Sequence, residues 1–192
     1  ATAPPCRAPA RLPHDAREPL QLRCTDGASH LGLLTDLGHA SPHVLQQLQG
    51  CHALLLEANH DPDMLAASGY PAFLKRRIAG VHGHLANHDA AGILAAVRHT
   101  GLNRVVAAHL SAQNNQPRLA QQALAHALDW PAEGVDIASP TKGTDWIHVV
   151  QSPPLRSASP WQKTQRQIAA QELPSLCRHR NTMGSNKKAP HL

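Results

Sequence analysis

Aromatic side chains are scarce in this sequence, since three Trp, one Tyr and one Phe make up only 3% of its 192 residues. A core built from it must therefore rest on aliphatic packing, and a chain of this length suits one domain. No stretch approaches the ~18 consecutive apolar residues that a membrane span requires, so we expect no membrane segment. The charged, apolar and small-residue order of a secretory leader is also absent, and the chain begins with Ala rather than Met, as expected for a fragment or a processed product.

The cysteines form no recognisable framework. Cys6, Cys24, Cys51 and Cys177 include no C-x-x-C pair, and their spacing matches neither a zinc ribbon nor a disulfide scaffold. We interpret them as free, mostly buried thiols in a reducing compartment, which favours a cytoplasmic location.

The positive charge is concentrated at one end of the chain. Of the formal net charge of +5, residues 151–192 supply seven Lys or Arg against one Glu, and residues 1–150 are close to neutral. Such a tail is usually a solvated segment, and contact with nucleic acid is the alternative that it leaves open. Because the tail is also rich in Pro, Ser and Gln, we expect it to be largely disordered.

Apolar runs alternate with amphipathic stretches between residues 20 and 150, whereas residues 1–12 have no period and are predicted to be irregular. The predicted strands are 20–25, 29–35, 52–57, 103–108, 134–138 and 145–150, and the predicted helices are 41–49, 61–68, 71–79, 88–99 and 117–128. Gly27 favours a hairpin between the first two strands, and Asn87 or Asp89 is expected to cap the fourth helix. This alternation predicts a layered α/β fold with a mixed sheet.

Thirteen of the 15 histidines lie within residues 1–150, and several stand where a predicted strand ends. The polar elements at strand ends are T-D-L-G-H (35–39), E-A-N-H-D (57–61) and A-H-L-S (108–111), and the loops 13–19 and 83–87 add further histidines. A single histidine at a strand end is more often a structural hydrogen-bonding group than a ligand. Several together at the carboxyl ends of strands favour a metal site, because imidazole and carboxylate suit zinc, manganese or iron(II).

Four runs in this order resemble the metallo-β-lactamase-fold hydrolases. They are LLTDLGH (33–39), LLLEANHDPDML (54–65), GHLANHDAAGIL (83–94) and VVAAHLSAQNN (105–115). They are most similar to the YycJ/WalJ-type branch, which is related to carbon–phosphorus lyase phosphodiesterases. The resemblance implies that residues 13–150 form the C-terminal half of an αββα sandwich, a mixed sheet with flanking helices.

The resemblance also implies roles for individual residues. His14, in PHDA, and His109, in AHLS, match metal-binding histidines of the family, and Asp36, in LTDLG, matches the aspartate that bridges two metal ions. His84, in GHLAN, is similar to a histidine that assists the leaving group or binds phosphate. Asn59, His60 and Asp61 match a signature of the branch to which we assign no role.

The sequence departs from the family in one large respect, because the first ligand cluster of the family, H-x-H-x-D-H, is absent. The complete enzyme would use two divalent metal ions, most simply zinc, with manganese or iron as alternatives, to hydrolyse a phosphodiester or nucleic acid. With His14, Asp36 and His109 alone, this chain is expected to be a weak or inactive hydrolase. The alternative is a non-catalytic α/β domain whose basic tail contacts nucleic acid, and its signature would be affinity that falls steeply with salt.

Overall fold

The computed structural model describes residues 7–11 and 20–150, with side chains from residue 21 onward. Six strands of this part form one sheet in the order β1-β2-β3-β4-β5-β6. The strands are β1 (Arg7–Arg11), β2 (Leu20–Thr25), β3 (His30–Leu34), β4 (Ala53–Glu57), β5 (Arg104–Ala108) and β6 (Val135–Ile137). The helices are α1 (Pro42–Leu48), α2 (Pro62–Ala67), α3 (Ala72–Ile78), α4 (Asn87–Val97) and α5 (Pro117–Leu128), and a 3-10 turn covers Ala132–Gly134.

The sheet is mixed, as the sequence predicts. β1, β2 and β3 pair antiparallel, whereas β3, β4, β5 and β6 are parallel neighbours. The predicted hairpin forms between β2 and β3, where Gly27 has a φ of +91° and Asp26 Oδ1 accepts hydrogen bonds from the Ala28 and Ser29 amides. The parallel half requires helical crossovers, which α1 to α5 provide.

The core lies between one face of the sheet and three of the helices. Leu54 and Leu56 of β4 face this core, and side chains alternate along a strand, so Ala53, Leu55 and Glu57 point to the other face. The helices contribute aliphatic residues at helical spacing. Buried residues of the cluster include Leu34, Val44, Leu48, Leu54, Leu56, Ile93, Leu94, Val97, Val105, Leu124 and Leu128.

Two predictions at the sheet edges are wrong. Residues 7–11, predicted to be irregular, form β1, and a register shift between Arg7 and Ala10 brackets Pro9, which lacks an amide proton and suits an edge strand. Residues 145–150, predicted as a strand, form none. Trp146 is 98% exposed, and the carbonyl of Val150 accepts a hydrogen bond from Asn103 Nδ2 instead of a neighbouring strand.

The predicted cap of α1 is confirmed, because Ser41 Oγ accepts a hydrogen bond from the Val44 amide at 3.3 Å. The predicted cap of α4 is wrong. Ala86 occupies the N-cap position, and Asn87 instead exchanges two amide hydrogen bonds with Asn115, at 3.0 and 2.9 Å. A buried amide gains more from a reciprocal partner than from one helix amide, so tertiary packing overrides the local preference.

No helix in the described part of the chain is long and apolar enough to cross a membrane. The tail, residues 151–192, and its expected disorder lie outside the described residues.

The Asn87–Asn115 pair generates a stability prediction. Asn115 is 6% exposed, donates to the Ala58 carbonyl at 2.8 Å and accepts from the Gln116 amide at 2.8 Å. Asn115→Ala leaves these groups buried without partners, so we expect it to lower the free energy of unfolding by about 2–3 kcal/mol. Urea denaturation measures the loss, and the exposed Gln113→Ala serves as a control within about 0.5 kcal/mol. Equal stability of the two variants would contradict the structural role of the pair.

Candidate metal centre

The candidate site forms where three adjacent parallel strands end. Leu34 of β3 pairs with Leu56 of β4, and Glu57 pairs with Ala108 of β5. This register places Asp36, Glu57 and His109 at one level, because each lies at or just beyond the carboxyl end of its strand. In α/β sheets this edge is where binding sites form, and the sequence-based expectation for these strand ends is met in the backbone arrangement.

Glu57 lies at the centre of the site. Its carboxylate is fully buried, and Oε1 accepts hydrogen bonds from His84 Nδ1 at 2.7 Å and from His109 Nδ1 at 3.1 Å. The second oxygen, Oε2, accepts from the Leu37 amide at 3.0 Å. One buried carboxylate therefore holds two imidazoles and the loop that carries Asp36.

These hydrogen bonds decide the charge of the carboxylate. Burial alone would raise the pKa of Glu57, but the hydrogen bonds from His109, His84 and the Leu37 amide outweigh it and hold the pKa below its ordinary value. The hydrogen bond to Glu57 raises the pKa of His109 in turn, against the opposing effect of burial. An ionised carboxylate only accepts hydrogen bonds, so both imidazoles carry a proton on Nδ1 and direct Nε2 elsewhere.

Asp36 and His109 adopt backbone angles that are rare outside glycine. Their φ angles are +59° and +57°, in the left-handed region. Such a conformation is uncommon for residues with a Cβ atom, and it costs free energy that surrounding contacts must offset. It turns the chain sharply as it leaves β3 and β5, which brings His109 Nδ1 to 3.6 Å from Asp36 Oδ1.

His84 reaches the site from the loop between α3 and α4. Its amide donates to the Ile78 carbonyl at 2.8 Å, and a Cβ atom on Gly83 would lie only 2.2 Å from that same carbonyl oxygen. Gly38 is similarly constrained, since its Cβ would lie 2.4 Å from the backbone of Val81. Both glycines therefore allow backbone segments to approach so closely that His84 meets Glu57.

The donor set fits a divalent transition metal. One ligand atom each from Asp36, His84 and His109 can be chosen so that all lie within 4.8 Å of one another, and their side chains are 48%, 26% and 41% exposed. Two imidazoles and a carboxylate are the donors that zinc, manganese and iron(II) accept. Glu57 stands behind the histidines in the place where metal sites commonly have a carboxylate that orients the ligand rings.

The other residues singled out from the sequence have different positions. Asn59 Nδ2 donates to the His109 carbonyl at 2.8 Å, so it supports the strained turn at that residue. Asp61 caps α2, because its Oδ1 accepts from the Asp63 and Met64 amides. His60 is 2% exposed and does not join the cluster. His14 lies outside the described residues, and its predicted role as a ligand remains a prediction.

Glu57 is the site residue that the sequence did not reveal. It closes the run L-L-L-E and begins the strand-end element 57–61, in which the resemblance singles out only Asn59, His60 and Asp61. The available signal was the burial expected of that run, because a carboxylate at the end of a fully buried strand must have partners. The structure also brings His84 close enough to Asp36 and His109 for all three to offer ligand atoms to one metal ion.

Similarity to known proteins is consistent with this geometry. No protein-family model matches the chain. The exodeoxyribonuclease YycJ of Bacillus anthracis is 36% identical over 132 residues, which are 69% of this chain and 50% of that protein. The exodeoxyribonuclease WalJ of Streptococcus pneumoniae D39 is 32% identical over 124 residues, 65% of this chain and 46% of that protein. The chain spans about half the length of the curated relatives that it matches.

Comparison with solved structures establishes the fold. The metallo-β-lactamase-fold protein YhfI from Bacillus subtilis superposes with a TM-score of 0.51 on 72% of this chain and 49% of its own, at 16% identity. The predicted α/β fold, part of a metallo-β-lactamase sandwich, is thereby confirmed. The resemblance to the YycJ/WalJ branch is confirmed as well, by the sequence matches to those two proteins.

The cluster predicts how metal affinity depends on its members. We expect Asp36→Asn to lower zinc affinity at least about tenfold, because a charged donor is lost. Glu57→Gln should lower it about 10–100-fold through misorientation of the two imidazoles. Competition with a chromophoric chelator measures both, and His43→Gln, an exposed histidine on α1, is the matched control. Zinc affinity that is unchanged in Asp36→Asn would show that the metal binds elsewhere.

Proposed function

We propose that this chain takes part in metal-dependent hydrolysis of phosphodiester bonds in DNA. The observation that carries the proposal is the buried Glu57 carboxylate, which gathers His84, His109 and the Asp36 loop at one sheet edge. The names of the matched relatives, both exodeoxyribonucleases, supply the substrate class. Because the chain spans about half of each relative, the reaction is a proposal for the chain and not a property read from them.

The metal ligands in this proposal are Asp36, His109 and His14. Zinc is the first choice of metal and manganese or iron(II) the alternatives, with two ions in a complete enzyme. A bound divalent cation there would stabilise charge on the phosphoryl oxygens and supply a hydroxide nucleophile at neutral pH. The carboxylate of Asp36 offers two oxygens, which suits a bridging position.

His84 is proposed as the general acid that protonates the leaving oxygen. Glu57 accepts the Nδ1 hydrogen bond at 2.7 Å, so His84 in its imidazolium form would donate the Nε2 proton to the leaving oxygen and return to the neutral ring that keeps its Nδ1 proton. The ring is 26% exposed, which leaves it accessible to a substrate while the carboxylate behind it is shielded from solvent. A fixed ring orientation of this kind is what efficient proton transfer requires.

We propose a cytoplasmic location for this chain, as the sequence predicts. Cys51 is a buried cysteine outside any disulfide, which fits the reducing environment that the sequence predicts. The rival function, nucleic-acid contact by the basic tail alone, rests on residues 151–192, which lie outside the described part of the chain.

A change at His84 tests the proposed acid. We expect His84→Ala to lower the weak DNA cleavage that the incomplete ligand set allows by about 10²–10⁴-fold. Cleavage of bis(p-nitrophenyl) phosphate should fall far less, because p-nitrophenolate leaves without a proton. Single-turnover assays on end-labelled DNA and on the chromogenic diester, at saturating zinc or manganese, measure the two rates.

The control for this experiment is metal affinity, which should fall less in His84→Ala than in Asp36→Asn. Equal loss of both reactions together with loss of metal would make His84 a ligand rather than an acid. DNA cleavage that persists in Asp36→Asn and in the presence of chelator would contradict metal-dependent hydrolysis at this site.

A further inference from the structure

A cavity is formed by residues of α2, α3 and α4 together with His60, which follows β4. We call it the His60 pocket, and its volume of about 540 Å³ is within the roughly 300–1,000 Å³ range of small-molecule sites. Its walls are mainly aliphatic, from Pro62, Leu65, Ala79 and Ala86. None of these residues takes part in the proposed chemistry of the metal centre.

A buried polar group in this pocket has no partner. His60 is 2% exposed, and its Nδ1 makes no hydrogen bond to the residues that the structure describes. Burial lowers the pKa of His60, so the ring is uncharged at neutral pH and offers one donor and one acceptor. A buried polar atom without a partner is rare in proteins and calls for a ligand or a water molecule.

The backbone around His60 is fixed, so the ring cannot easily turn away to find a partner. The Asn59 amide donates to the Leu85 carbonyl at 2.9 Å, and the Asn87 amide donates to the His60 carbonyl at 2.9 Å. These bonds form a parallel bridge between His60 and Ala86. The same two segments carry Glu57 and His84. His60 follows Glu57 by three residues, which is at most roughly 10 Å along an extended backbone, so the pocket and the metal centre are neighbours.

The rim of the pocket carries positive charge. Lys75 and Arg76, on successive positions of α3, both line it. Lys75 Nζ donates one hydrogen bond to the Ala66 carbonyl at 2.5 Å, and an ammonium group retains two further donors. Asp89, the acidic residue of the lining, lies 3.2 Å from its neighbour His88. The pocket therefore suits an uncharged ring that is attached to an anionic group.

We propose that the His60 pocket binds a nucleobase of the DNA substrate, with His60 hydrogen-bonded to the base and Arg76 and Lys75 contacting a phosphate. The inference rests on the proposed function for its choice of ligand. The aliphatic walls can contact the face of any base, and His60 Nδ1 is the atom that would hydrogen-bond to the base. Base stacking on an aromatic side chain contributes about 5–150-fold in affinity, and we expect the aliphatic His60 pocket to contribute at the lower end of that range.

The test compares two small ligands that differ by the base. Isothermal titration calorimetry of the full chain in chelator, where no cleavage occurs, would use deoxyadenosine 5′-monophosphate and deoxyribose 5-phosphate. We expect the nucleotide to bind at least about tenfold more tightly. Equal affinities, or no detectable binding of the nucleotide, would contradict nucleobase binding in the His60 pocket and would leave the proposed hydrolysis unaffected.

Two pairs of variants locate the binding. Ala79→Leu, at the exposed residue that follows α3, fills the pocket and should abolish the preference for the nucleotide. Ala72→Leu, exposed at the start of α3 and outside the lining, should keep it. Arg76→Gln should weaken both ligands, and Arg118→Gln on α5 is the control for net charge. A nucleotide preference that survives in Ala79→Leu would overturn the assignment.

A spectroscopic measurement and an activity measurement complete the design. The ring signals of His60 should shift on addition of the nucleotide and stay unchanged with deoxyribose 5-phosphate, and unchanged signals with both would indicate bound water alone. Cleavage of bis(p-nitrophenyl) phosphate, which contains no base, should be the same in Ala79→Leu as in the wild type. Failure of hydrolysis with intact nucleotide binding would contradict only the proposed function.

Discussion

The hydrogen bonds of one buried carboxylate determine how the site is built. Glu57 accepts from two imidazoles and one backbone amide, and these three groups belong to segments that begin after β3, after α3 and after β5. Removing the carboxylate from water costs free energy, and each of the three donors offsets part of that cost. The loops meet at this edge because Glu57 would otherwise be a buried charge without partners.

The regular elements of the fold were largely predictable from the sequence, because they depend on local patterns. Apolar runs flanked by turn residues located β2 to β5, and helical spacing located all five helices. The two wrong predictions, for residues 7–11 and 145–150, have the same cause, because strand formation depends on pairing with a neighbouring strand. β1 exists because β2 offers a free edge, and residues 145–150 remain irregular although their composition suits a strand. Neither outcome is encoded in the segment itself.

The candidate site also contains residues that local sequence patterns predict and residues that only tertiary contacts reveal. The sequence predicts Asp36 and His109 at strand ends and His84 in the loop 83–87, and the structure brings ligand atoms of all three within 4.8 Å. The sequence does not single out Glu57, because its role depends on hydrogen bonds to His84 and His109, which lie 27 and 52 residues away in sequence. Asn87 was assigned to a helix cap for a similar reason, since its partner Asn115 is distant in sequence. Local patterns identify candidates, and only tertiary contacts reveal which of them support others.

The parallel register that aligns the strand ends also has a kinetic consequence. The three hydrogen bonds to Glu57 join segments separated by at least 20 residues, and the longest of them closes a loop of 52. The chain gains nothing from the Glu57 contacts until β3, β4 and β5 have paired, so loop-closure entropy is lost before these bonds compensate for it. During refolding, the ligands should therefore assemble among the last events, and metal capture would report completed sheet formation rather than collapse.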